Sequence, residues 1–116
     1  MIKKIEYKTS HFDFILINHI KNLRESRKIS QETLSLRMGL SKSFVGNVES
    51  FKEVHKYSTR HITLLAKVFE FSTINELLNF PTPIYDRIKV TVEQTYYESG
   101  TKVMTSEVIK IEEIKD

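Results

Sequence analysis

The chain has 116 residues, 40% of them hydrophobic and 28% charged, with a net charge of +3 and no cysteine. That length allows one modest domain plus an appendage. The composition excludes disulfides and thiolate metal sites, and no apolar run approaches the roughly 20 residues of a membrane span.

The amino terminus, MIKKIEYKTS, lacks the apolar core of a signal peptide, so a cytoplasmic location is expected. Charge is unevenly spread. Residues 1–80 hold 13 Lys/Arg and 8 Asp/Glu, giving +5, whereas residues 81–116 hold 5 and 7, giving −2. A basic first segment favours a polyanionic partner, and the acidic remainder calls for another role.

Met1–Lys8 is a candidate third strand for a sheet formed later in the chain. The first helix is expected to start after Ser10, with Asp13 three residues on as a capping-box analogue. Its apolar stripe is Phe12, Leu16, Ile20 and Leu23. Arg24, Arg27 and Lys28 lie near its end, where cations suit the helix dipole.

Residues 30–50, SQETLSLRMGLSKSFVGNVES, read as two short helices around a glycine turn. Ser30 caps the first by accepting from a free first-turn amide. Leu34 and Met38 share one face, and Gly39 ends the helix as a left-handed residue. Ser41 caps the second helix, expected over 41–50. Val45 and Val48 tie it to the core, leaving Lys42, Ser43, Gly46 and Asn47 on a polar, cationic outer face. Such a face suits base edges in a DNA major groove.

After the loop SFKEVHKY, Ser58 or Thr59 caps a fourth helix with Ile62, Leu65, Ala66 and Phe69 in an amphipathic pattern. Thr73 and Glu76 form a capping box for a short fifth helix carrying Ile74, Leu77 and Leu78. Pro81 and Pro83 end it. Residues 86–97 and 102–114 then alternate apolar and polar around Gly100, which reads as a β-hairpin. A hairpin alone is marginal, so it must pack on the helices, gain a strand or pair with a second copy. Val90, Val92, Tyr96 and Val103 are the candidate dimer-interface residues.

Residues from about Ile17 to Phe80 resemble the phage-repressor-like, or Xre-type, helix-turn-helix family. The resemblance is carried by NLRESRKIS, SQETL, the MGLS turn, FVGNVE and TLLAKVFEFSTINELL. It implies a five-helix repressor-like bundle over 10–80, and with the C-terminal β-hairpin appendage over 84–116, which the family pattern does not include, the expected fold is mainly α. The resemblance also implies double-stranded DNA as partner and a homodimer on a two-fold site. Gln31 matches a glutamine that bonds phosphate and braces the next helix. Ser41 matches a helix-start phosphate contact. Lys42, Ser43 and Asn47 match base-reading positions, since Lys donates to guanine O6 and N7 and Asn pairs with adenine.

Some positions depart from the family pattern. Ser35 stands at a usual alanine, trimming the fit between the two helices. Leu36 stands at a usually charged position, and Ser50 and Phe51 occupy the place of a usual loop glycine.

Phe44 has two readings, a thymine-methyl contact or a core residue in line with Val48 and Phe51. Arg60 opens the fourth helix, where it can meet phosphate or face solvent. The histidines lack ligand spacing, so no metal or cofactor is expected. Ser41–Lys42 suggests a Ser–Lys dyad, but the remaining chain is too short for that catalytic domain, and no enzyme is expected. The expectation is a DNA-binding transcriptional regulator acting as a repressor. The alternative is an antitoxin or other protein-partner-binding module whose hairpin meets a toxin.

Overall fold

The structure is a computed structural model, and it describes residues 1–51 and 55–115. The elements in order are β1 (Ile2–Ser10), α1 (His11–Ser26), α2 (Gln31–Arg37), α3 (Phe44–Val48), α4 (Thr59–Val68), α5 (Ile74–Leu77), β2 (Arg87–Tyr96) and β3 (Val103–Glu113).

The expected mainly α fold is corrected. The chain is an α+β protein, 38% helical and 27% strand, with a three-stranded antiparallel sheet ordered β1-β2-β3. The C-terminal hairpin exists as β2–β3, but its inner strand pairs over nine residues with β1, from Ile2 opposite Thr95 to Ser10 opposite Arg87. The physical reason lies in β2. Ile88, Val90 and Val92 are all fully buried, and a two-stranded hairpin is marginal in water until a third strand widens its apolar face. The chain therefore divides into a sheet unit, Met1–His11 with Ile84–Asp116, and a helical unit, Phe12–Pro83. The first ten residues belong with the last thirty rather than with the bundle.

Within the sheet unit, register assigns two faces, because directly opposed residues share a face. Ile5, Tyr7 and Thr9 stand opposite Val92, Val90 and Ile88. Val108, Ile111 and Glu113 complete those rows on β3. The other face is charged. Lys89 Nζ lies 3.1 Å from Glu6 and 3.9 Å from Glu112, and Lys110 lies 3.2 Å from Glu112. Register shifts opposite Thr91/Val92 and Thr95/Tyr96 leave Ile109 and Met104 as the extra residues of two bulges.

The helical unit packs Leu16, Ile20, Leu34, Val45, Leu65, Phe69 and Leu77 into one buried cluster. Its helix starts follow local rules. Ser30 Oγ accepts from Thr33 N at 3.0 Å. Thr73 and Glu76 make the expected reciprocal box, and Ser58 makes another with His61. Gly39, at φ +77°, ends α2 in a Schellman motif, with Leu40 N–H donating to Ser35 O and Gly39 N–H to Leu36 O. The same two-bond pattern ends α1 at Lys28 (φ +56°) and α4 at Glu70 (φ +60°), neither of them a glycine.

Phe51 also holds a left-handed φ of +61°. Lys52, Glu53 and Val54 lie outside the described residues, so the middle of the 50–57 loop does too.

Candidate nucleic-acid interface

α2 and α3 are joined by six residues, Met38–Ser43, and are braced from three sides. The expected second helix over 41–50 is shorter in the structure. Phe44 N–H donates to Ser41 O at 3.1 Å, a three-residue turn, and the α ladder starts only with Asn47 N–H to Ser43 O at 3.0 Å. Ser41 therefore makes the turn, and Ser43 occupies the cap position with no side-chain cap bond.

Ser35 supplies the first brace. Fully buried, its Oγ donates to Gln31 O at 2.8 Å and accepts from Val45 N–H at 3.0 Å. The hydroxyl thus satisfies a first-turn amide of α3 that would otherwise be buried and unpaired. The expectation that Ser35 merely trims the helix fit is replaced by this bond.

The second brace is ionic. Arg24 Nε and Nη2 donate to Glu49 Oε2 and Oε1 at 3.0 and 2.8 Å, and Nη1 donates to Ile29 O at 2.8 Å. The Glu49 side chain is 2% exposed and that of Arg24 9%. Gln31 Nε2 also donates to Glu49 Oε1, at 2.9 Å. One carboxylate therefore ties the end of α1, the start of α2 and the end of α3. Beside it lies the buried Tyr57, whose hydroxyl has no partner among the described residues. Burial and then the Glu49 charge push its phenol pKa up, with Arg24 opposing.

The third brace is Gly46. A Cβ there would stand 3.2 Å from Gln31 Oε1, so the missing side chain makes room for the glutamine amide between the helices.

This frame presents a shallow concavity of about 370 Å³ lined by Gln31, Glu32, Lys42, Ser43, Gly46 and Asn47. Four of the expected site residues, Gln31, Lys42, Ser43 and Asn47, therefore meet in one place. All four are exposed, and Lys42 has no ion pair among the described residues. Ser41 is exposed in the adjoining turn.

Phe44 points elsewhere. Its ring lies 4.5 Å from that of His61 and 6.0 Å from that of Tyr57, half-buried against the helical core, the second of its two readings. Arg60 is exposed in the first turn of α4 and does not line the concavity. Next to it, His61 Nδ1 accepts from Ser58 N–H at 2.9 Å, which requires the neutral ring. Burial, then the Arg60 charge, lower its pKa from 6.5.

Of the candidate interface residues on the sheet, Val90 and Val92 are fully buried within one chain and offer no surface to a second. Tyr96 is half-buried, and Val103 is 37% exposed.

Sequence reasoning missed Ser35, Glu49 and the pairing of Arg24. A lone buried-register serine beside Leu34 was the available signal for the first. Nothing local links Arg24 to a carboxylate 25 positions away.

Chemically, the concavity gathers one cation, one carboxylate, two amides and a hydroxyl, all of them hydrogen-bonding groups. Among the described residues no group of three His, Asp or Glu side chains is placed to hold a metal ion, and no helix is long and apolar enough to cross a membrane. No family model, curated protein or solved structure matches this chain.

Proposed function

We propose that this chain is a cytoplasmic, sequence-specific double-stranded-DNA-binding transcriptional regulator, a repressor of the Xre type. The observation that carries the reading is the braced α2–α3 pair, which collects Gln31, Lys42, Ser43 and Asn47 on one exposed concave surface. Lys42 donates to guanine O6 and N7, and Asn47 pairs with an adenine edge. Gln31, with one amide proton committed to Glu49, holds the other for a phosphate oxygen. Ser41 adds a phosphate contact, and Arg60, outside the concavity, adds another. The chain binds as a homodimer, with half-sites about 34 Å apart.

The test starts by selecting an operator from a random duplex pool. Lys42→Ala and Asn47→Ala are each expected to cost about 1–3 kcal/mol at that operator, with the thermal midpoint unchanged. Affinity should fall steeply with salt. A folded double variant that retains wild-type affinity overturns the reading.

A second reading is favoured by a separate observation. Strand β3 exposes Val103, Met104, Ile109 and Ile111, between 37% and 49% each. Such a strand suits a protein partner, as in an antitoxin that uses its appendage to hold a toxin. A toxin-like reading frame beside the gene, and co-purification of its product, distinguishes this case.

A further inference from the structure

The free edge of β1 is complementary to itself. Tyr96 N–H donates to Met1 O and His11 N–H donates to Asp86 O, both at 2.8 Å, at the two ends of the β1–β2 ladder. The register between those ends runs without a shift, so the odd-numbered residues of β1 bond to β2. The backbone N–H and C=O groups of Ile2, Lys4, Glu6 and Lys8 therefore point away from β2, along the outer edge of the sheet. They bond to no other backbone group among the described residues. The opposite edge, β3, is interrupted by two register shifts. Side chains on β1 alternate as well. Ile5 and Tyr7 share the face of Val92 and Val90, while Lys4 and Glu6 lie on the charged face.

A second copy related by a two-fold axis normal to the sheet keeps both faces. Its backbone meets the outward groups when even-numbered residues oppose even-numbered ones. One such register sets Ile5 opposite Ile5 of the second copy. Lys4 then opposes Glu6 of the second copy and Glu6 opposes its Lys4. Lys3 opposes its Tyr7, and Ile2 opposes its Lys8. Each Lys4–Glu6 pair exchanges backbone bonds and brings opposite charges together. Within one chain Lys4 has no ion pair among the described residues. Glu6 then stands between Lys89 of its own chain and Lys4 of the other. The stem of Lys8 covers Ile2, which is 62% exposed in a single chain.

The neighbouring registers fail on charge or on length. A slide of two residues one way opposes Lys4 to Lys4. The other way it opposes Glu6 to Glu6 and Lys4 to Lys8. A slide of four either opposes Lys3 to Lys3 or leaves Ile2 and Lys3 with no strand beside them, because α1 begins at His11.

We propose that β1 pairs antiparallel with β1 of a second copy in this register. The contact is isologous and closed, and it joins two three-stranded sheets into one. The inference deepens the homodimer of the DNA-binding reading and rests on it. Edge lysines ordinarily block strand addition. Here they admit one partner, a second β1 already held extended by its own β2.

The experiment is sedimentation velocity on the full chain, without DNA, from micromolar to millimolar concentration. The wild type is expected to reach the mass of two copies and stop there. Lys4→Glu and Glu6→Lys, both at exposed positions, each set like charges opposite one another on both sides of the two-fold axis. Each is expected to weaken association roughly tenfold. An equimolar mixture of the two regains it, because the variants complement each other across the axis. Lys4→Pro removes an outward N–H and no bond to β2, and is expected to abolish the dimer while keeping the circular dichroism of the folded chain. Should that variant unfold, the charge mixture alone decides. A wild type that stays monomeric, a mass that passes two copies, or a mixture that fails to regain association overturns the proposal. A dimer indifferent to the charge reversals also overturns it and leaves the homodimer itself standing. The DNA contacts are tested separately through Lys42 and Asn47, so the two failures are distinguishable.

Discussion

The helical and sheet units of this protein specify their geometry by opposite means. In Phe12–Pro83 the decisive groups are polar and buried: a carboxylate shared by Arg24 and Gln31, and a serine hydroxyl that closes an open amide. In the sheet unit the fully buried groups are Ile88, Val90 and Val92, with Thr9 and His11 buried beside the strand ends, and the lysines and glutamates stay outside. Hydrophobic packing is tolerant of angle and offset, whereas a bidentate ion pair is not. The unit that has to hold α3 at a fixed attitude to α2 uses directional bonds. The unit that has only to hold three strands together uses alternation.

That contrast can be broken experimentally. Glu49→Ala strands Arg24 in a site with little access to water. A loss of about 3–5 kcal/mol is expected in urea unfolding, as for other buried pairs cut on one side. A loss comparable to that of an exposed pair would remove the ionic brace from the account.

Ser35→Ala leaves Val45 N–H buried without an acceptor and is expected to cost about 1–3 kcal/mol. Unchanged stability would mean the helices close the gap without the hydroxyl.

Acid should reach the helical unit through His61. In the unfolded chain this ring titrates near 6.5 and in the folded chain lower, so the unfolded state binds the extra proton. The stability linked to this difference is complete above pH 6.5 and is lost as pH falls below it, levelling off under the lowered folded value. His61→Gln should flatten that part of the pH–stability curve, and an identical curve in the variant would show that another group carries it.

The smallest effect is expected from Lys89→Gln. Its links to Glu6 and Glu112 hold the lysine pKa up, chiefly through the Glu6 contact, but they lie on the solvated face. No measurable shift in the denaturation midpoint is expected at physiological salt. A large one would erase the distinction between the two units.

Much of the helical unit was legible because its signals are local. Ser30, Gly39, Ser58 and the Thr73–Glu76 box sit within a turn of what they cap. The apolar stripe of α4 follows its helical period, with Leu65, Ala66 and Phe69 all buried. The gathering of Gln31, Lys42, Ser43 and Asn47 was legible for the same reason, since they lie within 17 positions. Lys28 and Glu70 were opaque as helix ends, because nothing about a lysine or a glutamate announces a left-handed residue. The shortening of α3 turned on one bond, Phe44 N–H to Ser41 O. The candidate third strand Met1–Lys8 is present as β1, Ile2–Ser10, although its signal was the faintest. Its alternation is weak, with Ile2, Lys3 and Lys4 all exposed, and its partner lies at the far end of the chain.

That separation has a consequence for how the protein is made. On the ribosome, β1 emerges first and its partner strand β2 emerges only after the whole of Phe12–Pro83 has been synthesised. The helical unit, whose contacts are closer in sequence, can condense as it appears, while the leading strand waits. Its three lysines keep it soluble during that interval and discourage premature pairing with strands of other nascent chains. A strand made only after the whole helical unit is thus the one that captures β1.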